Sequence, residues 1–67
     1  MDVLDLLKLM QESGESYQTL LNQLSPKKLK NLEESMEYYL LCYPQGTNNA
    51  DLEELLSDLY DHFNPEE

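Results

Sequence analysis

Residues 52–63 read Leu-Glu-Glu-Leu-Leu-Ser-Asp-Leu-Tyr-Asp-His-Phe. Leu52, Leu55, Leu56, Leu59 and Phe63 recur at steps of three and four, so on a helix they share one face. This is the most regular apolar face in the chain. The same register gathers Asp51, Glu54, Asp58 and Asp61 on one solvent face. At about 1.5 Å of rise per residue these four carboxylates span about 15 Å, one per roughly 5 Å. A DNA strand carries one charge per roughly 3.4 Å, so the acidic stripe alone is sparser than a phosphate backbone.

Asn48 or Asn49 can cap this helix, which the spacing predicts over 50–63. Asn64-Pro65 ends it, and residues 64–67 read as a frayed tail. On the other side, Pro44-Gln45-Gly46-Thr47 is a turn. It separates the last helix from a longer one predicted over 26–43. Ser25 caps that helix and Pro26 fills its first position. Leu29, Leu32, Met36, Tyr39 and Tyr43 form its seam. Earlier still, 16–24 reads as a short helix capped by Ser16, with Tyr17, Leu20, Leu21 and Leu24 on one face. Residues 2–12 read as another. Asp2 is its cap, Asp5 stands at the third helical position, and Val3, Leu6, Leu7 and Met10 form the apolar stripe. Ser13-Gly14 closes it.

Composition agrees with this pattern. Fifteen of 67 residues are leucine, isoleucine is absent and Val3 is the single valine. Leucine, glutamate and lysine favour helix, whereas strands favour β-branched and aromatic residues. The expected fold is therefore all-α: a small bundle of four helices (about 2–12, 16–24, 26–43 and 50–63) in one domain over 1–67. Helices three and four are expected to form an antiparallel hairpin. The long third helix is expected at the centre, with the first two helices covering its other side.

Charge excludes several functions. Fourteen carboxylates face four lysines, with no arginine, for a net −10. Direct nucleic-acid binding needs a basic face, which this balance does not provide. The longest apolar run is six residues, Tyr38 to Tyr43, far short of a membrane span. Asp2 and Asp5 stand where a secretory leader needs positive charge, and Cys42 has no partner cysteine. A cytoplasmic location is the expectation.

The charge is also segregated. Residues 1–24 carry −3, residues 25–32 carry +3 through Lys27, Lys28 and Lys30, and residues 33–67 carry −10. Glu33, Glu34, Glu37 and Glu53 are expected to thicken the Asp51–Asp61 stripe if the last two helices pack together. Such a surface suits docking on a basic partner, because complementary charge speeds encounter and selects the partner. A solvated face that only keeps a small protein soluble would show the same residues. The absence of any lysine over 35 residues argues for more than solubility, since self-repulsion costs stability. Lys27 and Lys28 lie in the first turn of a helix, where positive charge opposes the dipole.

Chemistry-bearing residues are few. His62 follows Asp58 by four residues in a last helical turn, which predicts a local ion pair with that carboxylate. One cysteine and one histidine do not make a zinc site. No catalytic, metal or cofactor residue is assigned, and no enzymatic activity is expected. The run Tyr38-Tyr39-Leu40-Leu41-Cys42-Tyr43 is apolar all round a helix. Burial at the centre of the bundle would explain it, and so would a subunit interface through Tyr38, Leu41 and Cys42.

The acidic helical character is similar to that of nucleic-acid-mimicking inhibitors from phages, of immunity proteins and antitoxins, and of assembly adaptors. The likeness is compositional and carries no residues over. The expectation is a non-enzymatic acidic protein-binding module, an inhibitor or regulator docking on a basic surface of a partner protein, with mimicry of nucleic acid as one form of it. Asp51, Glu54, Asp58 and Asp61 would make contact and Glu33, Glu34 and Glu37 would support them. The alternative is a homo-oligomeric assembly adaptor, at its simplest a homodimer, using the apolar 38–43 face. A third reading is a helix hairpin that offers an apolar groove to a peptide.

Overall fold

The computed structural model of the chain describes residues 1–65. They form α1 (Val3–Ser13), α2 (Tyr17–Asn22), α3 (Pro26–Cys42) and α4 (Ala50–Phe63), with no strand among the described residues. Each start is set by a polar cap. Asp2 accepts from the Leu4 backbone N–H at 2.7 Å, and Asp5 accepts from the Asp2 N–H at 3.4 Å, closing a reciprocal capping box. Ser16 and Ser25 accept from the Thr19 and Lys28 backbone N–H groups. Of the two asparagines, Asn49 is the cap of α4, accepting from Asp51 and Leu52.

Two helices end earlier than their apolar pattern suggests, and proline is the reason both times. The last α2 turn tightens, with Gln23 and Leu24 N–H groups bonding to the Leu20 and Leu21 carbonyls. Ser25 must then be extended because Pro26 follows it. Hence α2 covers 17–22, and Leu24 lies outside it. In α3, Tyr43 leaves helical geometry (φ −127°, ψ 62°) because it precedes Pro44. The expected fraying of 64–67 lies partly outside the described residues. Asn64 closes α4 by donating its N–H to the Tyr60 carbonyl.

Eleven buried side chains make one core. α1 contributes Val3, Leu6 and Leu7, and α2 contributes Leu20 and Leu21. α3 contributes Leu32 and Met36, and α4 contributes Leu52, Leu55, Leu56 and Leu59. No polar or charged side chain of the described residues is buried. The radius of gyration, 11.4 Å, is close to the roughly 11 Å expected for a folded chain of this length.

α3 and α4 pack together as expected, but α3 is not the centre. α1 packs on α4, on α3 and on α2, so α1 and α4 form the spine of the bundle. α2 lies mainly on α1 and not over α3. The N-terminus of α1 is pinned to the middle of α3 by a hydrogen bond from the Val3 N–H to the Ser35 hydroxyl at 3.2 Å. This satisfies a helix-start donor that the local cap leaves free. With one flank of α3 uncovered, its apolar C-terminal half is open to solvent.

The α3–α4 loop is fixed by its own polar contacts. Gly46 has φ 100°, which favours glycine, and its N–H bonds to the Tyr43 carbonyl. A Cβ there would come within 3.1 Å of the Glu53 carboxylate. That carboxylate accepts a hydrogen bond from the Thr47 backbone N–H. Thr47 and Asn49 add a reciprocal pair between the Thr47 hydroxyl and the Asn49 backbone.

Candidate functional site

The phase of α4 decides where its charges go. Leu55 sits at the edge of the buried face, and Asp51, Glu54 and Asp58 flank it on one side. That flank meets α1. Between the two helices lies an open groove of about 300 Å³. Leu7 and Met10 of α1 and Leu55 of α4 give it an apolar floor. Asp51, Glu54 and Asp58 of α4 stand along one side, and Gln11 of α1 and Glu15 of the α1–α2 link line the other. Asp51 and Asp58 are two turns apart, about 10 Å along the axis.

Glu15 reaches this position because α1 ends on Gly14, whose φ of 73° turns the chain sharply. The Gly14 N–H bonds to the Met10 carbonyl, and the Glu15 N–H bonds to the Ser13 hydroxyl at 3.2 Å. The link is thereby held against the end of α1. Met10 suits the floor, since an unbranched thioether adapts to different occupants.

Among the described residues the lining contains four carboxylates and no lysine. It contains no histidine, cysteine or serine, so it sets no nucleophile beside a base. Among the described residues, no group of three or more histidine, cysteine or acidic side chains could hold a metal ion. The groove lies at the small end of the volumes of ligand sites, roughly 300–1,000 Å³, and it is partly open to solvent. Its character is that of a shallow apolar strip with an anionic rim.

The expected site residues do not all meet in one place. Asp51, Glu54 and Asp58 come together at the groove, while Asp61 is exposed on α4 and does not line it. Glu33, Glu34 and Glu37 lie on α3 and do not line it either, because the acidic flank of α4 faces α1. Glu53 is engaged with the Thr47 N–H and the Gly46 turn. It holds the loop and does not thicken the stripe. Glu15 was not singled out from the sequence. The Gly14 signal marked the reversal beside it, but which helix it would face depends on the α1–α4 packing.

Tyr38, Leu41 and Cys42 occupy a second surface, on the outer side of α3. Tyr38 is 65% exposed and Leu41 81% exposed, and the Cys42 thiol is free and exposed. The expectation of burial at the bundle centre fails for these residues, since neither α1 nor α2 covers that side. Tyr39, on the inner side, is half-buried and stacks on Tyr43, with ring centres 6.0 Å apart. Burial raises the Tyr39 phenol above the usual tyrosine value, and the charges of Asp2, Tyr43, Tyr38 and Asp5 add to the effect. The Tyr38 phenol is also raised, chiefly by hydrogen bonding with the Cys42 thiol one turn on and then by its charge.

His62 is not where an ion pair with Asp58 would put it. Its ring meets Tyr17 edge-on, with centres 6.4 Å apart, and Phe63 edge-on at 5.2 Å. Asp58 lines the groove instead. The histidine therefore ties α2 to the end of α4 through aromatic packing. Comparison of the chain with protein-family models, with curated proteins and with solved structures returns no match.

Proposed function

We propose that this chain is a non-enzymatic protein-binding module that receives a basic, amphipathic segment of a partner protein in the α1/α4 groove, and regulates the partner by occupying that segment. The observation that carries this reading is the groove itself: Leu7, Met10 and Leu55 below, and Glu15, Asp51, Glu54 and Asp58 around them. A lysine or arginine side chain fits such a place twice over. Its alkyl stem lies on apolar surface while its charged end reaches a carboxylate. The net charge of −10 steers a cationic segment toward the surface and rejects anionic ones. A protein segment fits better than mimicry of a nucleic acid. The carboxylates of α4 are more widely spaced than phosphates, and an apolar floor has no counterpart in a phosphate backbone.

The test is anisotropy of a fluorescent amphipathic peptide of leucine and lysine, titrated with the full chain at low and high salt. Binding is expected to weaken steeply as salt rises. The D51K/D58K double variant should abolish it, and Met10→Glu should weaken it by placing charge on the floor. The E34K/E37K variant makes the same change in net charge away from the groove and should keep most of the affinity. Equal loss in both double variants would show that bulk charge, not the groove, holds the peptide. Binding indifferent to salt and to D51K/D58K would sink the acidic-groove reading altogether.

A further inference from the structure

The outward side of α3 is left without a role by the groove. At 100° per residue, Lys27, Lys30, Glu34, Glu37, Tyr38 and Leu41 fall within an arc of about 100°, opposite the buried Leu32 and Met36. All six are exposed. From the N-terminus this stripe reads two cations, two anions and two large apolar side chains. Reversed, the charged part of the stripe is its own complement.

We infer that this stripe is a self-pairing surface, and that its occupant is the same stripe of a second copy of the chain, running antiparallel. A two-fold axis level with Leu32 sets Lys30 opposite Glu34 of the second copy, and Lys27 opposite Glu37. Each pairing occurs twice, as an isologous interface requires. The same register brings Tyr38 to Pro26 and beside Lys27, where its ring offers an apolar face and a cation–π contact. Leu41 then lies against the α2–α3 turn of the second copy. A parallel arrangement would set lysine on lysine and glutamate on glutamate, so charge selects the antiparallel one.

This arrangement accounts for two features that the isolated chain leaves unexplained. Lys27 lies in the first turn of α3 against the helix dipole, and a carboxylate across the interface offsets that. Tyr38 and Leu41, 65% and 81% exposed, lie on the side of α3 that no helix of the same chain covers, and a second copy would cover them. The net charge of each chain opposes association at long range. At physiological salt that repulsion is screened beyond about 8 Å, while opposed side chains in contact are much less screened. The inference is independent of the groove, which lies between α1 and α4.

Sedimentation equilibrium of the full chain at tens of micromolar and physiological salt tests it. A dimer is expected for the natural sequence. K27E/K30E and E34K/E37K should each weaken it by about tenfold or more, since each makes the facing charges alike. An equimolar mixture of the two variants should restore a dimer, because each then meets its complement. E34K/E37K decides between specific pairing and bulk charge. It lowers the net charge from −10 to −6, so stronger association than the natural chain shows would overturn the inference. All four side chains are exposed, and a cooperative melt by circular dichroism checks that each variant folds. A monomer for the natural sequence across this range overturns the inference. So does a mixture that fails to restore the dimer. In the antiparallel register the two Cys42 positions are about 30 Å apart along the axis, so a dimer that oxidation links through Cys42 also overturns it.

Discussion

α3 and α4 are of similar length and both carry many apolar residues, but the bundle uses them differently. α4 buries four leucines in fourteen residues, while α3 buries two side chains in seventeen. The difference is phase. In α4 the leucines lie on one face and the acids on another, so a single docking direction hides the first and presents the second. In α3 the C-terminal apolar residues encircle the axis, and two neighbours cannot cover a full circle. The apolar side chains left over, Leu41 above all, then face water. A count of hydrophobic residues would have ranked the two helices alike; only their angular placement separates core from surface.

Truncating one leucine in each helix tests the contrast most strongly. Leu59 of α4 is fully buried, and Leu59→Ala should cost about 2–5 kcal/mol. A chain of this size has a total stability of only several kcal/mol, roughly 0.05–0.15 kcal/mol per residue, so this variant should be largely unfolded in a urea or thermal melt. Leu41→Ala should change stability by no more than about 0.5 kcal/mol. An equal cost for the two at a concentration where the chain is monomeric would mean that the outer side of α3 is covered within the single chain.

The start of α4 provides the next test, because the groove depends on where that helix begins. Gly46→Ala puts a Cβ against the Glu53 carboxylate at a φ of 100°, and should cost more than about 1 kcal/mol. Gly14→Ala has open space around the added carbon but the same sign of φ, so a smaller loss is expected. Asn49→Ala removes the side chain that accepts from Asp51 and Leu52, for a cost of about 1 kcal/mol by chemical denaturation. Ser25→Ala at α3 should cost less, since its single contact to the Lys28 N–H is long at 3.4 Å.

The smallest effect expected is a pH dependence on the α3 side. The Tyr39 phenol is raised above 10.0 by burial and neighbouring negative charge, so the fold favours its neutral form. That contribution is fully present below pH 10 and is lost as pH rises through the raised value. Tyr39→Phe cannot ionise and should flatten the alkaline fall in melting temperature. An unchanged alkaline limb would place the loss elsewhere.

Much of this architecture was legible beforehand for local reasons. Asp2 with Asp5, Ser16, Ser25-Pro26 and the asparagines before Ala50 announce helix starts through hydrogen bonds that span only a few residues. The residues preceding Pro26 and Pro44 had to leave the helix, and those two prolines explain the early ends of α2 and α3. The acidic trio Asp51, Glu54 and Asp58 was visible from periodicity alone. Its partner across the groove was not. Glu15 belongs to a link, where no periodicity assigns a direction. Glu33, Glu34 and Glu37 were expected beside the stripe if α3 and α4 packed together; the two helices do pack, but the acidic flank of α4 is turned to α1. The Asp58–His62 pair followed from helix spacing, but Tyr17 lies elsewhere in sequence and takes that ring.

Helix positions, their polar caps, the core-facing leucines of α4 and the uneven distribution of charge follow from the sequence by itself, since each depends on contacts within about one turn or on a fixed 3.6-residue period. Which helices touch is set by how four apolar stripes of unequal width share a small core, a condition no single stripe contains. That sharing paired α1 with α4, created the acidic groove at their junction, and left the outer side of α3 to solvent.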